Sequence, residues 1–224
     1  MRILLVGEYS RLHNSLKEGL EALHHDVTII GTGDNFKQFP VDYSIFPKYF
    51  LKNKLLVFIN KALFRVFKLD LQLAEKGIRF WLFLPKLKDY DVVQLINSNA
   101  IETYPFFSKF LLKRLFKQNE KSFLLVCGED TPIIDFLLTD KLKYSILTPY
   151  LKDNNLKSEF RFSLKYTQKN YRDLYDFVNE KVSATIVSDL DYKIPMPEKT
   201  LIPNPINTDK IVFENLDINK RIVI

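Results

Sequence analysis

Cysteine is all but missing. Cys127 is the only one in 224 residues, so the chain forms no internal disulfide, which fits a reducing compartment. Glycine is scarce too, at six residues, against 19 phenylalanines, which excludes a collagen-like or linker-rich chain. The glycine spacing excludes more. A dinucleotide fingerprint needs G-x-G-x-x-G after the first strand; here the stretch is Gly7-Glu-Tyr-Ser-Arg-Leu, with one glycine. No G-x-x-x-x-G-K-[ST] occurs, so a P-loop nucleotidase is excluded. Of the three histidines, no pair has metal-ligand spacing beside a carboxylate, and no metal centre is expected. No apolar run approaches the roughly 18 residues of a membrane span. No secretory signal is visible, since Met1-Arg2 leads into a short apolar run without a small-residue cleavage site. A cytoplasmic protein is expected.

What is present is an ordinary globular composition, 46% hydrophobic and 27% charged, with a basic excess of +6. A basic surface suits nucleic acid, an anionic membrane or a phosphorylated ligand. No nucleic-acid-binding motif is recognisable, and no nucleic-acid partner is expected. The excess concentrates between Lys48 and Lys88, where ten lysines and arginines face only Asp70 and Glu75. Aromatic residues are interleaved. Two readings stand: an interfacial helical pair against anionic lipid heads, or two core helices with solvated lysine edges.

Short apolar runs alternate with helical periodicity. Arg2–Val6, Asp26–Ile30, Asp91–Ile96, Ser122–Cys127 and Ala184–Val187 read as strands. A helix with Leu12, Leu16, Leu20 and Leu23 on one face should end near His24, a residue that tolerates the left-handed cap position. Residues 34–47 read as an irregular loop. Leu51, Leu55, Phe58, Ile59, Ala62 and Val66 form one apolar helical face, and a second helix follows over 69–84. Further helices are expected from Pro105 to Lys117, from Thr131 to Thr139, and continuously from Phe160 to Val182. Residues 144–153 fit no single pattern. The alternation predicts an α/β fold with a doubly wound, mostly parallel, Rossmann-like sheet.

In such a sheet the first strand is central, and ligands sit at the carboxyl ends of the strands. Several residues fall there. Gly7, Glu8, Tyr9 and Ser10 follow the first strand as a possible ligand loop, or Gly7 serves only a tight turn. His13 lies on the first turn of the next helix, facing a ligand or packing inward. Asn97 and Asn99 offer neutral hydrogen-bonding groups suited to sugar hydroxyls. Glu129 and Asp130 are candidates for base or hydroxyl-binding roles, with helix capping as the other reading for Asp130. Asp189-Leu-Asp191 matches D-x-D, a metal–diphosphate pattern in another transferase architecture, but lies late in the chain and reads as a solvated loop.

Three stretches resemble the N-terminal half of a GT-B-fold glycosyltransferase of the large retaining, nucleotide-sugar-dependent group. They are M-R-I-L-L-V-G-E-Y-S with L-K-E-G-L-E-A-L-H-H-D-V-T-I-I, then D-V-V-Q-L-I-N with F-L-L-V-C-G-E-D, and L-I-P-N-P-I-N-T-D-K-I over 201–211. Pro205 stands where that family has glycine, Asn207 where it has aspartate, and its histidine after the middle strands is absent. The resemblance implies an acceptor-side domain over 1–200 and an interdomain segment over 201–224. It implies a nucleotide-diphosphate sugar as donor substrate, with no tightly bound cofactor. The acceptor would be a glycan or lipid-linked, and the enzyme would be cytoplasmic or peripheral at the inner membrane face. It assigns Glu129 and Asp130 to catalysis, Gly7, Glu8, Tyr9 and Ser10 to the donor diphosphate, and His13, Asn97 and Asn99 to the acceptor. The strand-like run Asn219–Ile224 would then open a donor-binding domain lying beyond this chain. A non-enzymatic α/β ligand-binding domain is the alternative.

Overall fold

The computed structural model describes residues 1–208 and 211. The run Ile3–Val6 forms β1 (Arg2–Val6), and α1 (Leu12–Ala22) follows it. His24 does take the left-handed conformation that ends this helix, with φ 62°, and His25 N–H returns to the Leu20 carbonyl at 3.1 Å. β2 (Asp26–Gly31) leads to β3 (Tyr43–Ser44), a strand of two residues inside the stretch expected to be irregular. Then come α2 (Tyr49–Lys52), α3 (Lys54–Phe67), α4 (Leu71–Phe83) and β4 (Val92–Leu95). The chain continues with α5 (Pro105–Lys117), β5 (Lys121–Val126), α6 (Thr131–Leu137) and α7 (Thr148–Lys152). It proceeds through α8 (Arg161–Leu164), α9 (Lys169–Lys181), β6 (Ala184–Val187) and α10 (Leu190–Lys193) to β7 (Thr200–Leu201).

Among the described residues the sheet has seven strands in the order β3-β2-β1-β4-β5-β6-β7. Every neighbouring pair is parallel. β1 is indeed central, with Val6 opposite Ile30 on one side and Leu95 on the other. Successive side chains of a strand point to opposite faces. Ile3 and Leu5 therefore join Val27 and Ile29 under α1 residues Leu16 and Leu20. Leu4 and Val6 join the larger core on the other face, with Phe80 of α4, Leu111 and Leu115 of α5, and Leu174 and Val178 of α9. Helices thus cover both faces, as a doubly wound sheet requires.

The continuous helix expected over 160–182 is broken. Gln168 is extended at φ −73°, ψ 145°, between α8 and α9. The Thr131 hydroxyl donates to the Tyr166 carbonyl at 3.1 Å, and Arg172 Nε donates to the Thr167 carbonyl at 2.9 Å. These bonds draw the chain inward and bury Tyr166 with Ile134 and Leu147. Packing of one aromatic residue outweighs local helical periodicity here. The strand expected over Asn219–Ile224 lies outside the described residues. Among the described residues, no helix is long and apolar enough to cross a membrane.

Candidate functional site

The chain winds from β1 outward to β3, then returns across β1 to β4 and winds the other way. The connections that leave β1 and β4 therefore run to opposite faces of the sheet, α1 on one and α5 on the other, and such a switch point opens a crevice. Four turns meet there, after β1, β2, β4 and β5.

The turn after β1 is fixed from below. Gly7 has φ +88°, and a Cβ on it would lie 2.4 Å from Ile96 Cγ2. Its N–H donates to the Ile30 carbonyl at 2.8 Å, and the Ser10 N–H donates to Asp34 Oδ2 at 2.8 Å. Lys37 then bridges Asp34 and the Ser10 hydroxyl, at 2.7 and 2.9 Å. Two of the N–H groups assigned to a donor diphosphate are thus already engaged, one of them by a carboxylate. Glu8 is fully buried rather than facing a ligand. Its Oε2 accepts from Asn14 N–H and Nδ2, at 2.8 and 2.6 Å. Burial pushes its carboxyl above the usual range, against the pull of those Asn14 bonds.

His13 is buried as well and does not reach an acceptor. Its Nδ1 sits 2.7 Å from the Gly7 carbonyl and its Nε2 3.2 Å from Gln94 Nε2. The packing alternative holds for this residue.

Of the two residues expected at the acceptor, Asn97 is a strut, while Asn99 is buried with its Oδ1 lacking a hydrogen-bond partner. Asn97 is 1% exposed. Its Oδ1 accepts the Asn99 N–H at 2.6 Å, and its Nδ2 donates to the Glu129 carbonyl at 2.8 Å. It therefore ties the β4 turn to the β5 turn. Asp130 does the same from the other side. Wholly buried, it accepts from Ser98 N–H at 2.9 Å, Ser98 Oγ at 2.7 Å and Thr131 N–H at 2.8 Å. Burial raises its pKa, although these bonds pull it down. A caged carboxylate capping α6 has no open approach for a substrate, so capping replaces the catalytic assignment of Asp130.

Glu129 fares differently. It is half-buried, with Oε1 accepting the Ser163 hydroxyl. It lines a cavity of about 330 Å³ with Gly128, Ile133, Tyr144, Asp191 and Tyr192. Asp191 brings the second carboxylate of the D-x-D stretch to the same cavity.

A group without any local sequence signature completes the edge. Lys76 of α4 pairs with Glu102 at 2.7 Å, and the Thr32 hydroxyl donates to the other oxygen of Glu102 at 2.8 Å. Lys165 lies in the field of Glu102, Glu129, Asp130 and Lys76, and burial lowers its pKa. Tyr9, half-buried, lies among Glu102, Tyr166 and Asp130, and burial raises its hydroxyl well above the ordinary range. Spacing along the chain gave no hint of this group, because its members come from five separate elements. Glu102 holds a left-handed φ of 55° in the turn after β4, a strain visible only in the fold. The cluster alternates cations, carboxylates and phenols. Ammonium groups donate and carboxylates accept, so such a surface matches the paired donor and acceptor character of hydroxyls.

No family profile and no curated protein sequence matches the chain. A solved 3-alpha-hydroxysteroid dehydrogenase from Pseudomonas sp. B-0831, complexed with NADH, is a loose structural neighbour. It aligns with 84% of this chain and 71% of its own at 11% identity, with a TM-score of 0.33. A likeness of that degree carries no argument about ligand or chemistry. The parallel sheet and its switch point locate the site, and the residues at that edge define what it can bind.

Proposed function

We propose that this chain is the acceptor-side domain of a glycosyltransferase that moves a sugar from a nucleotide-sugar donor to a glycan or lipid-linked acceptor. The observation that carries the reading is the mixed-charge edge of the sheet: Lys76, Glu102, Glu129 and Lys165 around Tyr9, beside the cavity under Glu129. A neutral polyhydroxylated ligand satisfies both signs of charge there, whereas a bare polyanion meets two carboxylates, Glu102 and Glu129. Glu129 orients or deprotonates the acceptor hydroxyl. The donor diphosphate is held chiefly by a facing domain, because the N–H groups of Gly7 and Ser10 have partners within this one. The enzyme works in the cytoplasm, at the inner membrane face when its acceptor is lipid-linked.

The test uses the full-length gene product. Incubation with uridine and guanosine diphosphate sugars should release the nucleotide diphosphate, and Glu129→Gln should cut transfer at least tenfold with an unchanged Tm. Transfer undiminished in Glu129→Gln removes that residue from the site. Equal thermal protection by nucleoside diphosphates and by NADH removes the transferase reading.

One observation favours a second reading, a non-enzymatic ligand-binding domain. Asp130 and Asn97, both buried at the edge, brace loops with their side chains instead of facing the cavity. Sugar binding without any turnover of nucleotide sugars would select that reading.

A further inference from the structure

Leu51, Leu55, Phe58, Ile59, Ala62 and Val66 share one helical face, and an apolar face of this kind normally packs inward. In the structure an extended Asn53 breaks this helix, leaving Leu51 in α2, and the α3 part of the face points outward. Leu55, Phe58 and Val66 are 66%, 69% and 70% exposed. The opposite face of α3 holds the body. There Asn60 is buried; its Oδ1 accepts the Leu71 N–H at 2.6 Å and its Nδ2 donates to Asp70 at 3.2 Å. A polar residue thus pins the helix while its large apolar residues face away.

The orientation is anchored at both ends of the preceding helix. Glu75 of α4 accepts the N–H groups of Lys48, Tyr49 and Phe50, at 2.7, 3.1 and 3.1 Å, and so caps α2. Asn53 caps α3 through the Leu55 and Leu56 N–H groups, at 3.0 and 3.3 Å. A fixed, exposed apolar stripe of this size marks an interaction surface.

Charge selects the partner. Between Asp42 and Asp70 there are six lysines and arginines and no carboxylate, a local excess equal to the net +6 of the whole chain. Lys54, Lys61, Arg65 and Lys68 recur every three to seven residues, which places them along one flank of the stripe. A second copy of the chain would set these cations against each other. Protein interfaces are depleted in lysine at their cores. A lipid surface satisfies both features at once: the apolar side chains enter the headgroup–acyl boundary, and the lysine stems lie beside them with their ammonium groups on lipid phosphates.

We propose that the outward face of α3 is a docking surface for an anionic membrane, with the helix lying in the plane of the interface. The inference rests on the peripheral placement proposed above and deepens it; it needs neither donor nor acceptor.

The experiment is sedimentation of the full chain with phosphatidylcholine vesicles, with and without phosphatidylglycerol. Binding is expected only with phosphatidylglycerol, and added salt should weaken it. Lys61→Gln with Arg65→Gln should lower the partition coefficient about 30-fold, from about 1 kcal/mol per cation near the surface. Phe58→Ser with Val66→Ser should also lower it; both side chains are exposed, so Tm should hold. Equal binding to both vesicle types overturns the proposal. So does binding unaffected by the Phe58 and Val66 changes, or lipid-independent self-association that those changes abolish. Loss of vesicle binding with transfer to a water-soluble acceptor intact defeats this inference alone. Vesicle binding without transfer defeats the transferase reading alone.

Discussion

The His13 ring is wholly buried beneath the Gly7 carbonyl, with Nδ1 2.7 Å from that oxygen. A carbonyl only accepts, so Nδ1 carries the proton and Nε2 is left as an acceptor facing the Gln94 amide. The ring is therefore neutral. Burial lowers its pKa from 6.5 to about 4, with the Gly7 carbonyl opposing. The unfolded chain takes up a proton in this window and the folded chain does not. Stability from His13 is thus complete above pH 6.5 and declines as pH falls to about 4, by about 3 kcal/mol in all. Denaturant unfolding across that window should show the decline in the wild type and a flatter profile in His13→Gln.

Gly7 and Gly128 separate two costs of adding a side chain. Both have positive φ, 88° and 79°, but a Cβ at Gly7 meets Ile96 and the Ala100 carbonyl, while at Gly128 nothing lies within 4 Å. Gly128→Ala should cost about 1 kcal/mol, from backbone conformation alone. Gly7→Ala should cost about 3 kcal/mol, from backbone conformation and overpacking together. Denaturant midpoints of the two variants test the ordering.

Glu8→Gln should stabilise the protein at neutral pH. Burial raises the Glu8 carboxyl pKa, and Oε1 has no hydrogen-bond partner. A raised folded pKa means that its stabilising contribution is complete below the unfolded value of 4.5 and is lost as pH rises through the folded one. The amide has no ionisation cost in the buried site, so the variant should gain about 1 kcal/mol at neutral pH. The melting curves of wild type and variant should converge below pH 4.5.

Glu75→Ala should detach α2. Burial by itself would raise this carboxyl, but the N–H groups of Lys48, Phe50 and Tyr49, with Arg79, outweigh it and hold the pKa below the usual value. Its contribution is present above pH 4.5 and is lost as pH falls through the lower folded value. The variant leaves Arg79 and three N–H groups without their acceptor, at about 3 kcal/mol. Hydrogen exchange should accelerate at residues 48–52 before it does in the sheet.

The parallel sheet was readable because its strands are short apolar runs set between helical periods. Ile3–Val6 needs burial on both faces, and only a central strand provides that. Two-residue strands such as Tyr43–Ser44 leave no periodic trace. The site was legible as a place more than as a set of roles. Glu129 reaches the cavity, whereas His13, Asn97 and Asp130 stand at the right edge but turn inward, and the direction of a turn side chain depends on partners distant in sequence. Lys76 and Glu102 are 26 residues apart and meet only through tertiary packing. The α3 face was identified correctly as apolar, yet periodicity has no sign: it finds a face without telling inward from outward.

Among the described residues, the two ends of the sheet differ from its middle. β3 and β7 have two residues each, while β1, β2 and β5 have five or six. Pro40 and Pro47 flank β3, and Pro203 and Pro205 follow β7, residues that cannot donate a ladder bond. A parallel sheet with long open borders would recruit strands from neighbouring molecules. Proline-bounded stubs of two residues offer a neighbouring strand little to pair with, so among the described residues the outward apolar helix, and not the sheet border, is the surface open to contact.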